Sequence, residues 1–323
     1  MHRRLFLSLI AGAALASTLS WGARGAGADT PLQVVASTGM IADAARQVGG
    51  DLVQVQALMG PGVDPHAYRQ TRTDIVAMTR ADLVLWHGLY LEAQMEDFLQ
   101  DLGRKRPVVA VADALPKDYL RGHDDYDDKY DPHVWMVPDL WAGVVQEVQR
   151  ALTQARPEAA EIFAANAKTH LAELAQLQDY AETQLAAVPP EARVLLTAHD
   201  AFGYFGEAYG FEVLGIQGIS TESEAGLSRI GELVGLLVDR QIGAVFVETS
   251  VSDRNIRAIV EGAAAKGHTV RIGGELYSDA MGPEGRYEGT YIGMIDHNVT
   301  VISGALGADA PAGGMQGKLA AEG

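Results

Sequence analysis

The 323-residue sequence contains no cysteine. That absence excludes disulfides, thiolate metal sites and a cysteine nucleophile, and it leaves only nitrogen and oxygen donors for any metal the protein holds. Positive charge is also scarce: 25 Lys and Arg stand against 42 Asp and Glu, a net charge of −17. Such a surface repels phosphate backbones and anionic lipid headgroups, which argues against nucleic acid as a partner. Beyond the N-terminus no apolar run is long enough to span a bilayer. HExxH and a serine-centred nucleophile elbow are missing too, and with them two common hydrolase signatures. What remains is an ordinary globular balance, 48% hydrophobic and 21% charged, in a chain long enough for two domains.

The N-terminus reads as an export signal over residues 1–28. A basic start leads into an apolar run over Leu5–Leu19, and small residues follow as far as Ala26-Gly27-Ala28. The "RRLFL" stretch also fits a twin-arginine signal, although paired arginines occur in ordinary signals. With no cysteine to carry a lipid, the mature protein is expected to be free in a periplasm, without a lipid anchor, and monomeric.

After the signal, short β-branched runs alternate with helical patterns: "PLQVVASTG", "VQVQALM", "ADLVLWHG" and "RPVVAVADA", then "RVLLTAHD", "FEVLGIQGIS", "AVFVETSVS" and "TVRIGGELYSDAM". Strands alternating with helices imply parallel sheets built from βαβ units. Between the two sets, "ARPEAAEIFAANAKTHLAELAQLQDYAETQLAAV" is alanine-rich and free of glycine, opens at Pro157 and is closed by "PPEAR". About thirty helical residues would span roughly 45 Å. The expected fold class is therefore α/β, two lobes with parallel sheets joined by one long helix. The expected boundaries are an N-terminal lobe over 29–155, the helix over 156–188, a C-terminal lobe over 189–308 and a disordered tail over 309–323.

Two of the nine histidines follow the same dipeptide: Asp-Pro-His ends at His66 in "GPGVDPHAY" and at His133 in "YDPHVWMVPDLW". Proline fixes its own φ and drives the preceding Asp into an extended conformation, so the histidine leaves a stiff turn in a set direction. That suits a metal ligand; the competing reading is two helix starts with Asp as cap and Pro in the first turn. His199 in "LLTAHDAF" and Asp279 in "ELYSDAMG" both lie just past apolar strands, where ligands of parallel α/β sheets gather. Glu275 is a competing oxygen donor, and the acidic loop 123–131 a place where cations could collect. Of the other histidines, His170 is expected on the surface of the long helix, His268 in a polar turn, His297 partly buried, and His87 behind the ligands.

Taken in order, "GVDPHAY", "ADLVLWHGLYLE", "DPHVWMVPDLW", "TAHDAFGYFGEAYGFEV", "GIQGISTESEAG" and "GGELYSDAMG…EGTYIGMIDHN" resemble the cluster A-I metal receptors of ABC transporters, above all the TroA-like zinc- and manganese-binding proteins. The resemblance runs over roughly 31–308. It implies a periplasmic receptor, not an enzyme, that holds one Zn²⁺ or Mn²⁺ between its lobes as cargo for a membrane ABC permease. The ligands it implies are His66, His133, His199 and Asp279. Two departures stand out: Val137 occupies a position where relatives often carry Asp, and the histidine-rich loop of many zinc-specific members is missing. Three imidazoles and a carboxylate favour zinc, while the TroA-like pattern keeps manganese open, with iron as a third choice. A periplasmic zinc metallohydrolase and a metal-dependent adhesin are the alternatives.

Overall fold

A computed structural model describes residues 30–320 apart from 124 and 125. The signal expected over 1–28 and part of the acidic loop lie outside the described residues. In the first half, β1 (Leu32–Ala36), β2 (Val53–Ala57), β3 (Leu83–Trp86) and β4 (Val108–Ala110) form a parallel sheet in the order β2-β1-β3-β4. Helices α1 (Gly39–Gly49), α2 (Arg72–Arg80) and α3 (Glu96–Gly103) connect them. A hairpin of β5 (Gly122–His123) and β6 (Tyr126–Tyr130) follows, then α4 (Pro138–Ala155) and α5 (Ala160–Ala186). The second half holds β7 (Val194–Thr197), α6 (Gly203–Tyr209), β8 (Glu212–Gly215), α7 (Leu227–Asp239), β9 (Ala244–Glu248), α8 (Arg254–Ala265), β10 (Arg271–Leu276) and α9 (Tyr291–Ala305). There β7 pairs with β8 and β9 with β10, all parallel, and β7 runs beside β9. The eight strands expected from the sequence are all present, as is the long helix; the hairpin within the acidic loop was not anticipated.

These runs form two-sided strands because both of their faces find an apolar layer. In β1, Leu32, Val34 and Ala36 point into one cluster while Val35 points into another. In β7, Leu195 joins the first cluster while Val194 and Leu196 join a third. The period-2 alternation is thus hidden in sequence, since both faces of a parallel strand are buried. The outer layers are distinct: α3 covers the first sheet, α7 and α8 the second. The inner layer is shared. Side chains of α1, α4, α5 and α9 merge with residues of both sheets into a single core.

Along α5 the buried positions are Phe163, Ala167, His170, Leu174, Leu177, Gln178, Ala181 and Leu185. Steps of three and four place them on one stripe, and His170 stands on it. His170 is 2% exposed, so the surface placement expected for it is wrong. Its Nδ1 lies 3.3 Å from Glu173.

At the start of α4, Val137 caps the helix without a side-chain hydrogen bond, and Pro138 fills the first turn. After α9 the chain runs in turns over 309–320 where disorder was expected. The reason is a buried acceptor: Asp296, fully enclosed, takes the Met315 N–H at 2.8 Å. A carboxylate out of reach of water needs such donors, and the tail's backbone supplies them.

Candidate metal centre

Both Asp-Pro-His turns are closed by the aspartate. Asp64 Oδ1 accepts the His66 backbone N–H and Asp131 Oδ1 that of His133, each at 2.9 Å. The carboxylate thereby pins the residue two positions on, as Asp does in an Asx turn. Neither aspartate starts an α-helix: His66 lies in the turns between β2 and α2, and His133 precedes a single 3-10 turn, Val134–Met136. The helix-start reading fails in both places.

The copies then diverge. Asp131 Oδ1 also takes the ring Nδ1–H of His133 at 2.7 Å, whereas Asp64 turns its second oxygen to the Thr221 hydroxyl at 2.5 Å. From the second half, His199 comes two residues beyond β7 and Asp279 three beyond β10, at the carboxyl ends of parallel strands. Glu248, the last residue of β9, accepts the His199 backbone N–H at 2.9 Å and its Nδ1–H at 2.5 Å. This partner was missed in the sequence. Its signal was a lone acid closing the apolar run "AVFVE".

The four expected residues come together. His66, His133, His199 and Asp279 are all buried, and their donor atoms lie within 4.8 Å of one another. His66 Nε2 is 3.3 Å from His133 Nε2, His133 Nε2 is 3.4 Å from Asp279 Oδ1, and His199 Nε2 is 3.3 Å from Asp279 Oδ2. Bonds of 2.0–2.1 Å in a tetrahedron give edges of about 3.3–3.4 Å, so these separations suit a zinc-sized ion. Among the described residues, His199 Nε2 and Asp279 Oδ1 are buried and make no well-formed hydrogen bond. Buried polar atoms are rarely orphaned, and here a cation would satisfy both. Glu275 is exposed on β10 and stands outside the cluster.

The electrostatics differ from residue to residue within the cluster. Burial pulls the His66 imidazole down to about 3, so it stays neutral. Burial also disfavours charge on His133, yet Asp131 and Asp279 more than offset it and hold the ring at about 9. His199 is raised in the same way against burial, by Asp279 and Glu248. Burial would push Asp279 up, but His199 and His133 carry it well below the usual carboxylate range. A cation entering the site would therefore compete with protons for His133 and His199.

Supporting residues fix these rings. His87, as expected, sits behind the cluster: its Nε2 donates to the Pro132 carbonyl at 2.7 Å, and Glu92 holds the His87 N–H at 2.7 Å. Tyr204 from α6 donates to the Asp131 carbonyl at 2.8 Å. That approach requires Gly203, since a Cβ there would lie 2.9 Å from Asp131 Oδ2. Trp135 Nε1 donates to the Ser278 carbonyl at 2.7 Å and Tyr291 Oη to the Trp135 carbonyl at 2.8 Å, tying the two halves together beside the site. His268 and His297 bond backbone carbonyls at 2.7 and 2.9 Å, away from the cluster.

Residues 34–305 match the family described as "ZnuA: Zinc-uptake complex component A periplasmic". The chain belongs to this family. Among ZnuA-type relatives, the manganese-binding lipoprotein MntA of Bacillus subtilis (strain 168) is 50% identical over 282 residues, 87% of this chain and 92% of that protein. The zinc-binding protein TroA of Treponema pallidum (strain Nichols) is 42% identical over 289 residues, 90% and 93% of the two chains. The solved structure of the Treponema pallidum periplasmic zinc-binding protein TroA superposes with a TM-score of 0.84, covering 86% of this chain and 99% of that one at 42% identity. The fold class and the family expected from the sequence are both borne out.

Proposed function

We propose that this protein is the substrate-binding receptor of an ABC importer for divalent transition metal, holding one Zn²⁺ or Mn²⁺ per chain and delivering it to a membrane permease. It is a receptor, not an enzyme: the ZnuA family to which the chain belongs supplies the binding component of an uptake system. The relatives' names carry manganese and zinc in turn. His66, His133, His199 and Asp279 are the ligands in this reading. The observation that carries it is the convergence of four buried donor atoms from both halves, two of them without a well-formed hydrogen bond among the described residues.

Three imidazoles suit zinc, which the Irving–Williams order places above manganese for the same donors. Asp279, however, directs one oxygen toward His133 and the other toward His199, so it can bind through both. A bidentate carboxylate offers the higher coordination number and harder donors that Mn²⁺ accepts. The receptor works in the periplasm, exported by the segment 1–28, with the twin-arginine route open to it through Arg3 and Arg4. The sequence offers no cysteine to acylate, which supports a receptor without a lipid anchor.

The test is metal content and thermal midpoint. Protein stripped with EDTA should take up one equivalent of Zn²⁺ or Mn²⁺. Binding to the folded state alone adds about 4 kcal/mol at a thousandfold excess over Kd, a large rise in midpoint. No bound metal and no rise with either ion would end this reading.

A further inference from the structure

The cation must reach ligands that are at most 3% exposed, so some part of the protein opens. We propose that the segment Gln217–Glu224 is the lid over the metal and that the Thr221–Asp64 hydrogen bond is its latch, which sets how fast the cation leaves. This rests on the receptor reading above.

Two cavities flank that segment. One, of about 140 Å³, is lined by His66 together with Tyr90, Lys129, Ile219 and Glu222. The other, of about 370 Å³, is lined by Asp64, Gln217, Thr221 and Ser250, and Ser250 Oγ reaches Asp279 Oδ2 at 3.3 Å. The segment is held from within by Gln217, whose Nε2 donates to the Thr221 and Ser223 carbonyls at 3.2 and 3.0 Å. It is held from the opposite half of the chain by two bonds: the Thr221 hydroxyl to Asp64, and Gln94 Nε2 to Glu222 Oε1, both at 2.5 Å.

The contrast between the two Asp-Pro-His turns gives the latch its purpose. His133 and His199 are each clamped twice by a carboxylate, at the backbone N–H and at the ring. His66 is clamped once, at its backbone, by Asp64. The other oxygen of Asp64 is committed to the lid rather than to the imidazole. Closing the lid therefore stiffens the turn that carries His66, and opening it frees the one ligand whose ring has no carboxylate behind it. Exchange of the cation begins at His66.

The experiment loads the full-length mature protein with zinc and follows its release to excess EDTA by stopped flow with a zinc indicator. Thr221→Val keeps the shape and removes the hydroxyl. Release should quicken on the order of tenfold, as expected for losing a hydrogen bond to a charged acceptor. Thr221→Ser should restore the parent rate, Gln94→Ala should quicken release in the same direction, and the midpoint of the metal-free protein should stay at the parent value. Equal release rates for Thr221→Val and the parent overturn the latch, as does a metal-free midpoint that falls in step with the loaded one, because the bond is then merely structural. A parent that takes up no zinc overturns the receptor reading itself, and the latch with it.

Discussion

Replacing Glu248 by Gln tests whether a carboxylate that never touches the cation controls its binding. In the parent, both oxygens of Glu248 accept from His199, one from the backbone N–H at 2.9 Å and one from Nδ1–H at 2.5 Å. Nδ1 is thus kept protonated and Nε2, 3.3 Å from Asp279 Oδ2, is the nitrogen offered to the metal. An amide has one acceptor. If its oxygen keeps the backbone N–H, its NH₂ faces Nδ1, and the ring must adopt the tautomer with the proton on Nε2. That proton blocks the metal and faces the Asp279 carboxylate, whose Oδ2 is 3.3 Å away. Affinity should therefore fall while the stability of the empty protein changes little. Loss of such a partner behind a ligating histidine costs about 10–100-fold in affinity, or ~1.4–2.7 kcal/mol. Competition titrations of Zn²⁺ and Mn²⁺ against a calibrated chelator at pH 7.5, with calorimetric midpoints of the stripped proteins, measure both quantities. Affinities within twofold of the parent for both ions would refute the tautomer argument. So would a stripped midpoint that falls as far as the loaded one.

With His133 held at about 9 and His199 also raised, both rings carry protons at neutral pH, and the metal must displace them. Affinity should keep climbing through neutrality, by up to about tenfold per pH unit for each proton displaced; a plateau already reached at pH 7 would contradict those raised values. His199→Glu turns three nitrogens and one carboxylate into two and two, so the Zn²⁺/Mn²⁺ affinity ratio should drop, because carboxylate suits manganese and imidazole zinc. An unchanged ratio in competition titrations would remove His199 from the ligand set. His170→Glu places a charge on the buried stripe of α5 and should lower the midpoint of the stripped protein, with a penalty of about 3 kcal/mol or more typical of an unpaired buried charge; a surface position would leave it unchanged.

The two imidazoles of the Asp-Pro-His turns were legible because proline and aspartate are local instructions, readable three residues at a time. His199 and Asp279 were legible by position, each just past the end of an apolar strand. Glu248 was not, since its meaning depends on β9 lying beside β7, a pairing that no local pattern announces. Nor was the division of labour between Asp64 and Asp131: the same tripeptide serves a loop 157 residues away in one case and its own histidine in the other. His170 was misplaced for a different reason. Its spacing from Phe163, Ala167, Leu174 and Leu177 is that of the buried stripe, and polarity was allowed to outweigh periodicity.

The inner layer of helices has a bearing on the permease as well. Because α4, α5 and α9 lie in one core with residues of both sheets, swinging the halves apart would wet Phe163, Leu177, Leu195 and Tyr291 together. Burying a large apolar side chain stabilises by about 1.5–3 kcal/mol, so wide separation is far dearer than the shift of a surface segment. Emptying the site should therefore leave the two halves packed together, with any change confined to surface segments. If the permease reads only the packed halves, unloaded copies compete with loaded ones for the same berth. Uptake should then slow when receptor outnumbers metal, making the receptor an inhibitor of its own pathway at high expression.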